Sequence, residues 1–219
     1  MNYLSPHCFW IEDLRPKFPH LADKAMAAYA IFERGRTGAL DPQELRQLEE
    51  LCHERSKILR EWAASIIGSL TEFHVSAAEL LFSLVRSPRA DVAISSLVAL
   101  HDLEDKNLKV GIVRLALLHK ARRVRELAAS KALKFGLSEV LSDLESARQR
   151  ERGEHFIGEL NFHIRLIRDG FFVKYLEDGG VDISVLGKGS LAGRLYSKEM
   201  LVDKGIESLI AEMRSCLKF

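Results

Sequence analysis

The sequence predicts a mainly α-helical protein that ends in a small antiparallel β-meander and one further helix. Two observations support this prediction. A pair of helices recurs through the middle of the chain, and the apolar spacing changes to period two after about residue 160. The composition is that of a globular protein, with 47% hydrophobic and 29% charged residues in a chain of 219. That length suits one large domain or two small ones.

Two stretches of the chain are near copies of each other. Residues 59–70 read LREWAASIIGSL, and residues 124–135 read VRELAASKALKF. This separation is too long for a single helical pair, and a weaker middle copy, VAISSLVAL, begins at Val92. Apolar or small residues also recur eleven, eight and seven positions before each copy, which predicts a preceding helix in every unit. The expected helix pairs are 42–53 with 57–70, 77–86 with 90–103, and 107–118 with 121–135.

The repeated pattern resembles the HEAT-repeat family of α-solenoids. The family's loose motif has Val-Arg early in the second helix, then Ala-Ala and Ala-Leu. The third copy matches it best, through Val124, Arg125, Ala128, Ala129, Ala132 and Leu133. The first copy matches next, through Leu59, Arg60, Ala63, Ala64 and Ile67, so the resemblance covers roughly residues 42–135. It implies a curved scaffold that usually binds protein and occasionally nucleic acid.

Residues 32–45, FERGRTGALDPQEL, fit two descriptions. A calcium-binding loop would close on Glu44, but its third position, which must supply an oxygen ligand, is Gly35. A boundary between two helices explains more of the residues, because Asp-Pro-x-Glu is a capped helix start. We therefore predict a helix over 19–34, a glycine turn over 35–38 and a helix start over 41–44.

The pattern changes after the third helix pair. Gly136 is expected in the left-handed conformation that ends a helix, and Ser138 opens another helix through about Arg150. In LNFHIRLIRDG, apolar and polar residues then alternate, which predicts a strand over 160–166 and a hairpin turn at Asp169-Gly170. Further elements follow: FFVKYL, VDISVL and LAGRLYS as strands, and a helix within 198–217.

These elements predict three segments of the chain. They are an N-terminal segment with a capping helix over 1–41, a HEAT-like α-solenoid over 42–152, and an antiparallel β-meander with a C-terminal helix over 153–219. The fold class is therefore a short α-solenoid with a small α+β appendage.

Sequence motifs for catalysis and for cofactors are weak. The histidines show no paired ligand spacing, and GKGSLAG lies between two predicted strands, where a phosphate loop would precede a helix. Cys52 occupies a core position of its helix, next to His53. The sequence favours a non-enzymatic protein, and we expect no catalytic residue, no cofactor and no metal.

Cysteine usage and the N-terminus bear on localisation. Three widely spaced cysteines indicate reduced thiols, as in the cytoplasm. The first residues, MNYLSPHCFWIEDLRP, do not read as a signal peptide, and no apolar run approaches the roughly 20 residues of a membrane span. We expect a cytoplasmic protein with no membrane partner.

Basic residues gather where the two helices of each pair meet. These candidate binding residues are Arg60, Arg89, Lys120, Arg122, Arg123 and Arg125. Stacked repeats would place the arginines along one edge, and arginine is favoured at interfaces and for carboxylate or phosphate contacts. The alternative is that they are solvated turn residues or that they pair within the chain.

Three functional hypotheses follow. The leading one is a non-enzymatic module that binds another protein, such as an immunity protein that neutralises a bacterial toxin. The second is nucleic-acid binding or DNA repair on an arginine-lined face, but 32 basic residues against 31 acidic ones give no basic excess. The third is an enzyme with a site between the solenoid and the meander, where His163 would be the candidate.

Overall fold

The computed structural model describes Ile11 and residues 15–187 and 190–217. The described residues form eleven α-helices and, near the C-terminus, a three-stranded antiparallel sheet. The predicted fold class, mainly α with a C-terminal β-meander, is therefore confirmed. The chain divides into two compact units, Met1–Ala128 and Ala129–Phe219. The predicted limits of the three segments, at residues 41 and 152, stay predictions.

The described part of the first unit consists of helices and short turns. In chain order the helices are α1 (Pro19–Thr37), α2 (Pro42–Cys52), α3 (Lys57–Leu70), α4 (Val75–Val85), α5 (Ala90–Val98, followed by the 3₁₀ turn Ala99–His101), α6 (Lys106–Leu117) and α7 (Arg122–Lys134). The last of these crosses the boundary between the units. The three predicted pairs are confirmed as α2 with α3, α4 with α5, and α6 with α7, with most ends shifted by a residue or two.

The helices of the first unit pack in two layers. The first helices of the pairs, α2, α4 and α6, contact one another in order, and α1, α3 and α5 do the same in the second layer. Each pair also closes on itself through α2 with α3 and α4 with α5. Helix α1 thus takes the place that a preceding second helix would hold, as predicted for a capping helix.

The apolar spacing explains this packing. Of the nine predicted anchor positions on the first helices, eight are buried and Leu51 is half-buried. The corresponding starts of the second helices, Leu59, Val92 and Val124, are also buried. Small residues let α3 approach its neighbours, because a Cβ at Gly68 would lie 3.0 Å from the Ala99 carbonyl oxygen. Neither layer can bury its apolar stripe alone, so neighbouring pairs must stack.

The start of α2 is the capped boundary that the sequence indicates. The Asp41 carboxylate accepts a hydrogen bond from the backbone N–H of Gln43 at 2.7 Å. The Glu44 carboxylate accepts one from the backbone N–H of Asp41 at 3.1 Å. The predicted glycine turn over 35–38 is wrong in part, because α1 continues to Thr37 and contains Gly35. A Cβ at Gly35 would lie 2.8 Å from Cδ2 of Leu70, so this glycine serves close helix packing.

The second unit combines helices with the sheet. Gly136 has φ +59°, as predicted, and a 3₁₀ turn (Ser138–Val140) leads into α8. The remaining elements are α8 (Leu141–Arg150), α9 (Glu154–Asp169), β1 (Phe171–Tyr175), β2 (Val181–Gly187), β3 (Ser190–Tyr196), α10 (Lys198–Lys204) and α11 (Ile206–Cys216). The helix predicted within 198–217 is therefore two helices, separated at Gly205, which has φ +75°.

The predicted strand over 160–166 is wrong, because these residues lie inside α9. Two apolar rows run along this helix: Leu160 with Ile164, and Phe162 with Leu166. The rows are offset by two residues, about 200° around a helix, so they lie on opposite sides. A helix packed on two sides reads as period two over a short window. The predicted hairpin turn at Asp169-Gly170 is also wrong, since Gly170 (φ +78°) ends α9.

The sheet has the order β1-β2-β3, and both strand pairs are antiparallel. One face is buried on α11, and its core consists of Val181, Ile183, Val185, Tyr196, Leu209, Ile210 and Met213. Helix α9 contacts β1 and β2, with the Phe162 ring edge-on to Phe172 at 5.1 Å. The glycine loop GKGSLAG begins at the end of β2 and continues into β3, as predicted, and its residues 188–189 lie outside the described residues.

A glycine inside α9 and the glycine that follows its last residue test the helix assignment with substitutions of opposite effect. We expect Gly158→Ala to raise the free energy of unfolding by about 0.5–1 kcal/mol, because Gly158 is in the helix interior and its Cβ would meet nothing within 4 Å. We expect Gly170→Ala to lower it by about 1 kcal/mol or more, because an L side chain is strained at positive φ. Urea denaturation followed by circular dichroism measures both. A destabilising Gly158→Ala would contradict the helix.

Candidate functional site

Two of the six candidate residues hold the turns within their own helix pairs. We call residues 53–56, 86–89 and 118–121 the first, second and third turns. Arg60 Nη1 donates to the Glu54 and Arg55 carbonyls at 2.7 and 2.8 Å. Arg125 Nη1 donates to the carbonyls of the third turn at the same sequence offsets, 2.9 Å each, from His119 and Lys120. The repeated Arg of the motif thus satisfies main-chain carbonyls of the turn that follows the first helix of its pair.

The turns are also bonded to one another. Arg89 Nη1 donates to the His53 carbonyl at 2.8 Å, which joins the second turn to the first. His119 Nε2 lies 2.9 Å from the Ser87 carbonyl, which joins the third turn to the second. The Ala121 amide donates to His119 Nδ1 at 3.0 Å, so the imidazole hydrogen sits on Nε2 and donates to Ser87. The three turns therefore form one hydrogen-bonded ladder.

Asp91 neutralises two of the arginines near this ladder. Its carboxylate accepts from Arg89 at 2.8 Å and lies 3.6 Å from Arg60, which belongs to the neighbouring pair. The hydrogen bond from Arg89 holds the pKa of Asp91 below its usual value, and the charges of both arginines add to this. The carboxylate is thus ionised at neutral pH, and Arg60 and Arg89 are not free positive charges.

The other three candidates lie at the third turn and at the start of α7. Arg122 pairs with Glu126 one helical turn later, at 2.7 Å. Lys120 and Arg123 are exposed, and neither forms an ion pair with a described residue. The structure gives Arg60, Arg89 and Arg125 structural roles. A role of the six residues in binding a partner stays a prediction.

A groove lies between the ends of α4 and α6. It is open, has a volume of about 330 Å³, and is lined by Val85, Arg86, Pro88, Leu115, Leu118, His119 and Lys120. Its floor is mostly aliphatic, and Arg86 and Lys120 place positive charge at its rim. Neither of these two side chains forms an ion pair within the described chain. Leu118 is 63% exposed although it belongs to a turn held by the ladder.

Sequence reasoning missed Arg86 and Leu118, although a signal was present. Each precedes the buried start of its second helix, Val92 or Val124, by six residues. The same position of the first pair is His53. A position-by-position comparison of the three copies would have shown one leucine where the other two carry basic or polar residues. This departure from the repeat was the available signal for an apolar side chain at the third turn.

The candidates for enzyme chemistry have structural environments. Burial raises the pKa of the Cys52 thiol to about 12, so this thiol is not a nucleophile near neutral pH. His163 was predicted on the polar face of a strand, but it lies on α9 and is half-buried. Its Nδ1 has no hydrogen-bond partner among the described residues, and burial lowers its pKa to about 4.

The residues of the calcium-like loop are engaged otherwise. Glu33 accepts from the Tyr29 hydroxyl at 2.8 Å, and Glu44 pairs with Arg34 while it caps α2. Across residues 15–187 and 190–217, His, Cys, Asp and Glu side chains form no group of three that could hold a metal ion. Within the same residues, every helix is too short or too polar to cross a membrane.

Comparison of the chain with models of protein families, with curated proteins and with solved structures gave no match. The resemblance to HEAT repeats therefore stays a prediction that rests on the repeated residues and on the stacked helix pairs.

Substitution of Arg60 and of Arg123 tests which arginines stabilise the fold and which are only exposed. We expect Arg60→Ala to lower the free energy of unfolding by about 1–3 kcal/mol, because two turn carbonyls lose their donor. Arg123→Ala is the matched control and should change it by less than about 0.5 kcal/mol, as for an exposed residue. Urea denaturation measures both variants. Equal stability of the two variants would contradict the structural role of Arg60.

His163 should make the protein less stable in acid. Its folded pKa of about 4 lies below the ordinary histidine value of 6.5, so between these two pH values the unfolded chain binds a proton and the folded chain does not. The neutral ring thus favours folding above about pH 6.5, and this contribution, at most about 3 kcal/mol, is lost as the pH falls toward 4.

The test is urea denaturation of wild type and His163→Gln at pH 7 and pH 4.5. The wild type should lose more stability between these values than the variant does. His155→Gln is the matched control, because the His155 side chain is 78% exposed on the same helix. A pH dependence that His163→Gln leaves unchanged would contradict this assignment.

Proposed function

We propose that this chain is a non-enzymatic module that binds another protein through the groove between the second and third turns. The observation that supports this most is Leu118, an apolar side chain 63% exposed on a backbone that the hydrogen-bonded ladder holds in place. Binding on a rigid surface costs little ordering entropy, so more of the contact energy remains as affinity. An exposed leucine in a rigid groove is therefore suited to be an anchor for a partner side chain.

The charge of the groove indicates which partner chemistry fits it. Arg86 and Lys120 flank the aliphatic floor, and both lack an ion-pair partner within the described chain. A partner that presents an apolar side chain next to Asp or Glu would bury Leu118 and neutralise this rim. Rim charges of this kind speed association and favour partners of opposite charge.

Protein binding has more support here than the two alternatives. An arginine-lined face for nucleic acid would need free guanidinium groups, but those of Arg60, Arg89 and Arg125 bond to turn carbonyls, and the first two also lie by Asp91. An enzyme would need converging reactive groups, and the buried Cys52 thiol has none of the features of an activated nucleophile. Both alternatives stay predictions with less support.

An inhibitor of a bacterial toxin would be one protein of this kind. Such inhibitors must recognise one partner tightly, and a small rigid surface with an apolar anchor and charged rim is compatible with this task. The immunity role rests on size and architecture, which is an analogy, and it stays a prediction.

Substitutions in the groove should abolish partner binding without unfolding the protein. We expect Leu118→Asp to weaken binding at least about tenfold, because it places a charge in an apolar contact and opposes an acidic partner. The double variant Arg86→Glu with Lys120→Glu should act in the same direction. The measurement is quantitative capture of the partner from lysate by the tagged wild type and by each variant, followed by titration of the purified partner.

Val75→Asp is the matched control for this experiment. Val75 is 77% exposed and starts α4, about 15 Å from the groove at the other end of that helix, so its substitution should leave binding unchanged. Hydrogen exchange of the wild-type complex should show protection in residues 86–89 and 115–120. A partner that binds the groove variants and Val75→Asp with equal affinity would refute the proposal, as would protection confined to other segments.

A further inference from the structure

Among the residues that the structure describes, no strand pairs with the outer edge of β3. In β2, the Leu186 amide donates to the Gly170 carbonyl at 2.9 Å, on the β1 side. Main-chain groups alternate in direction along a strand, so the residues next to Leu186 direct theirs toward β3. Leu191 lies opposite Leu186 in the register, and its own N–H and C=O therefore point away from β2. The same holds at every second residue of β3, namely Leu191, Gly193 and Leu195.

This outer edge has few of the features that prevent pairing with another strand. Among the described residues, none hydrogen-bonds the outward main-chain groups of Leu191, Gly193 or Leu195. The strand contains no proline or lysine, and its pairing with β2 is unbroken over seven residues. Its one charged side chain, Arg194, lies over the Tyr196 ring at 5.3 Å. Edges of this type readily accept another strand.

The side chains on the edge are apolar and share one face. Leu191 is 49% exposed and Leu195 is 67% exposed. They are four residues apart in a strand, so both project from the same face, with Gly193 between them. Arg194 projects from the opposite face, toward Glu212 at 3.8 Å. The face with the two leucines therefore carries no charge from β3.

The sequence of the strand is symmetric about Gly193. In LAGRL, a leucine stands two residues before the glycine and another two residues after it. If two copies pair antiparallel about a two-fold axis at Gly193, each Leu191 lies opposite Leu195 of the second copy. All three outward residues are then in hydrogen-bonded positions, which gives six N–H···O bonds. A shift by two residues would place a leucine opposite glycine and lose the outer pairs.

We propose that β3 is the contact surface for a second copy of this chain, and that two copies form a continuous six-stranded antiparallel sheet with Gly193 on the two-fold axis. The contact is isologous, as in most symmetric dimers. Leucine pairs directly across an antiparallel ladder add to the main-chain bonds. A single strand pair buries little surface, so the dimer is weak and forms with rising concentration. This inference is independent of the proposed groove, which uses no residue of β3.

Sedimentation equilibrium of the full chain, from about 5 to about 500 µM, spans the range expected for a weak interface and tests the proposal. The wild type should pass from monomer to dimer as concentration rises. Leu195→Lys should raise the dissociation constant at least about tenfold, because it removes one leucine from each cross-strand pair and places a charged side chain at the contact. Val202→Lys is the matched control, since Val202 is 80% exposed outside β3, and it should leave the dimer unchanged.

A second variant removes main-chain bonds without adding charge. Gly193→Pro deletes an N–H that points outward, so the pairing of β3 with β2 stays intact while the centre of the dimer contact is lost. It should behave as a monomer at every concentration. If this variant fails to fold, as circular dichroism would show, Leu195→Lys with its control decides the matter.

Amide hydrogen exchange identifies the edge directly. In the dimer, the amides of Leu191, Gly193 and Leu195 should become protected as concentration rises, while those of Ala192 and Arg194, already bonded to β2, should not change. A chain that stays monomeric up to about 500 µM, well above the dissociation constant expected of a weak dimer, would overturn the proposal. So would a dimer that both β3 variants leave intact, or concentration-dependent protection that excludes these three amides.

Discussion

The carbonyl groups of the turn that follows each first helix are the constraint on which the stacked helix pairs depend. The carbonyls of a short turn between two helices lie outside the hydrogen bonds of both helices, and an unpaired buried carbonyl costs about 1–3 kcal/mol. In the first and third pairs, an arginine from the second helix donates to two carbonyls of the turn. The middle pair has Ala93 at that position, and its turn carbonyl at Ser87 receives His119 from the next pair.

This difference makes the middle turn depend on its neighbours. The second turn sends Arg89 to the first and receives His119 from the third, so neither neighbour can shift along the stack without breaking a bond to a carbonyl. The ladder therefore fixes the register of successive pairs as well as the shape of each turn. It also accounts for the basic residues at the turns, because several of them donate hydrogen bonds to main-chain carbonyls. Within the part of the chain that the structure describes, Lys120 and Arg86 form no ion pair and carry exposed positive charge.

The sequence predicted the parts of the fold that repeat. Three copies of one apolar spacing determine the helix pairs, and the Asp41-Pro42 start is local chemistry that needs no tertiary information. The prediction of a strand over 160–166 was wrong because Leu160 and Phe162 pack on opposite sides of α9, Leu160 in the interior and Phe162 against Phe172. A single sequence does not show that a helix is packed on two sides. The bonding of Arg60 and Arg89 was likewise open, since their carbonyl partners are main-chain atoms common to every residue type.

Both candidate surfaces arise from apolar side chains on a backbone whose conformation is determined by other bonds. Leu118 is exposed because its turn is held by His119 and Arg125, and Leu195 is exposed because its strand is held by β2 on the other edge. A flexible loop with the same leucines would collapse them onto the nearest apolar surface or lose ordering entropy on binding. In this protein the backbone is held in place, so the leucines cannot collapse onto the protein and their apolar area stays exposed. Contact with a second molecule would remove that area from water.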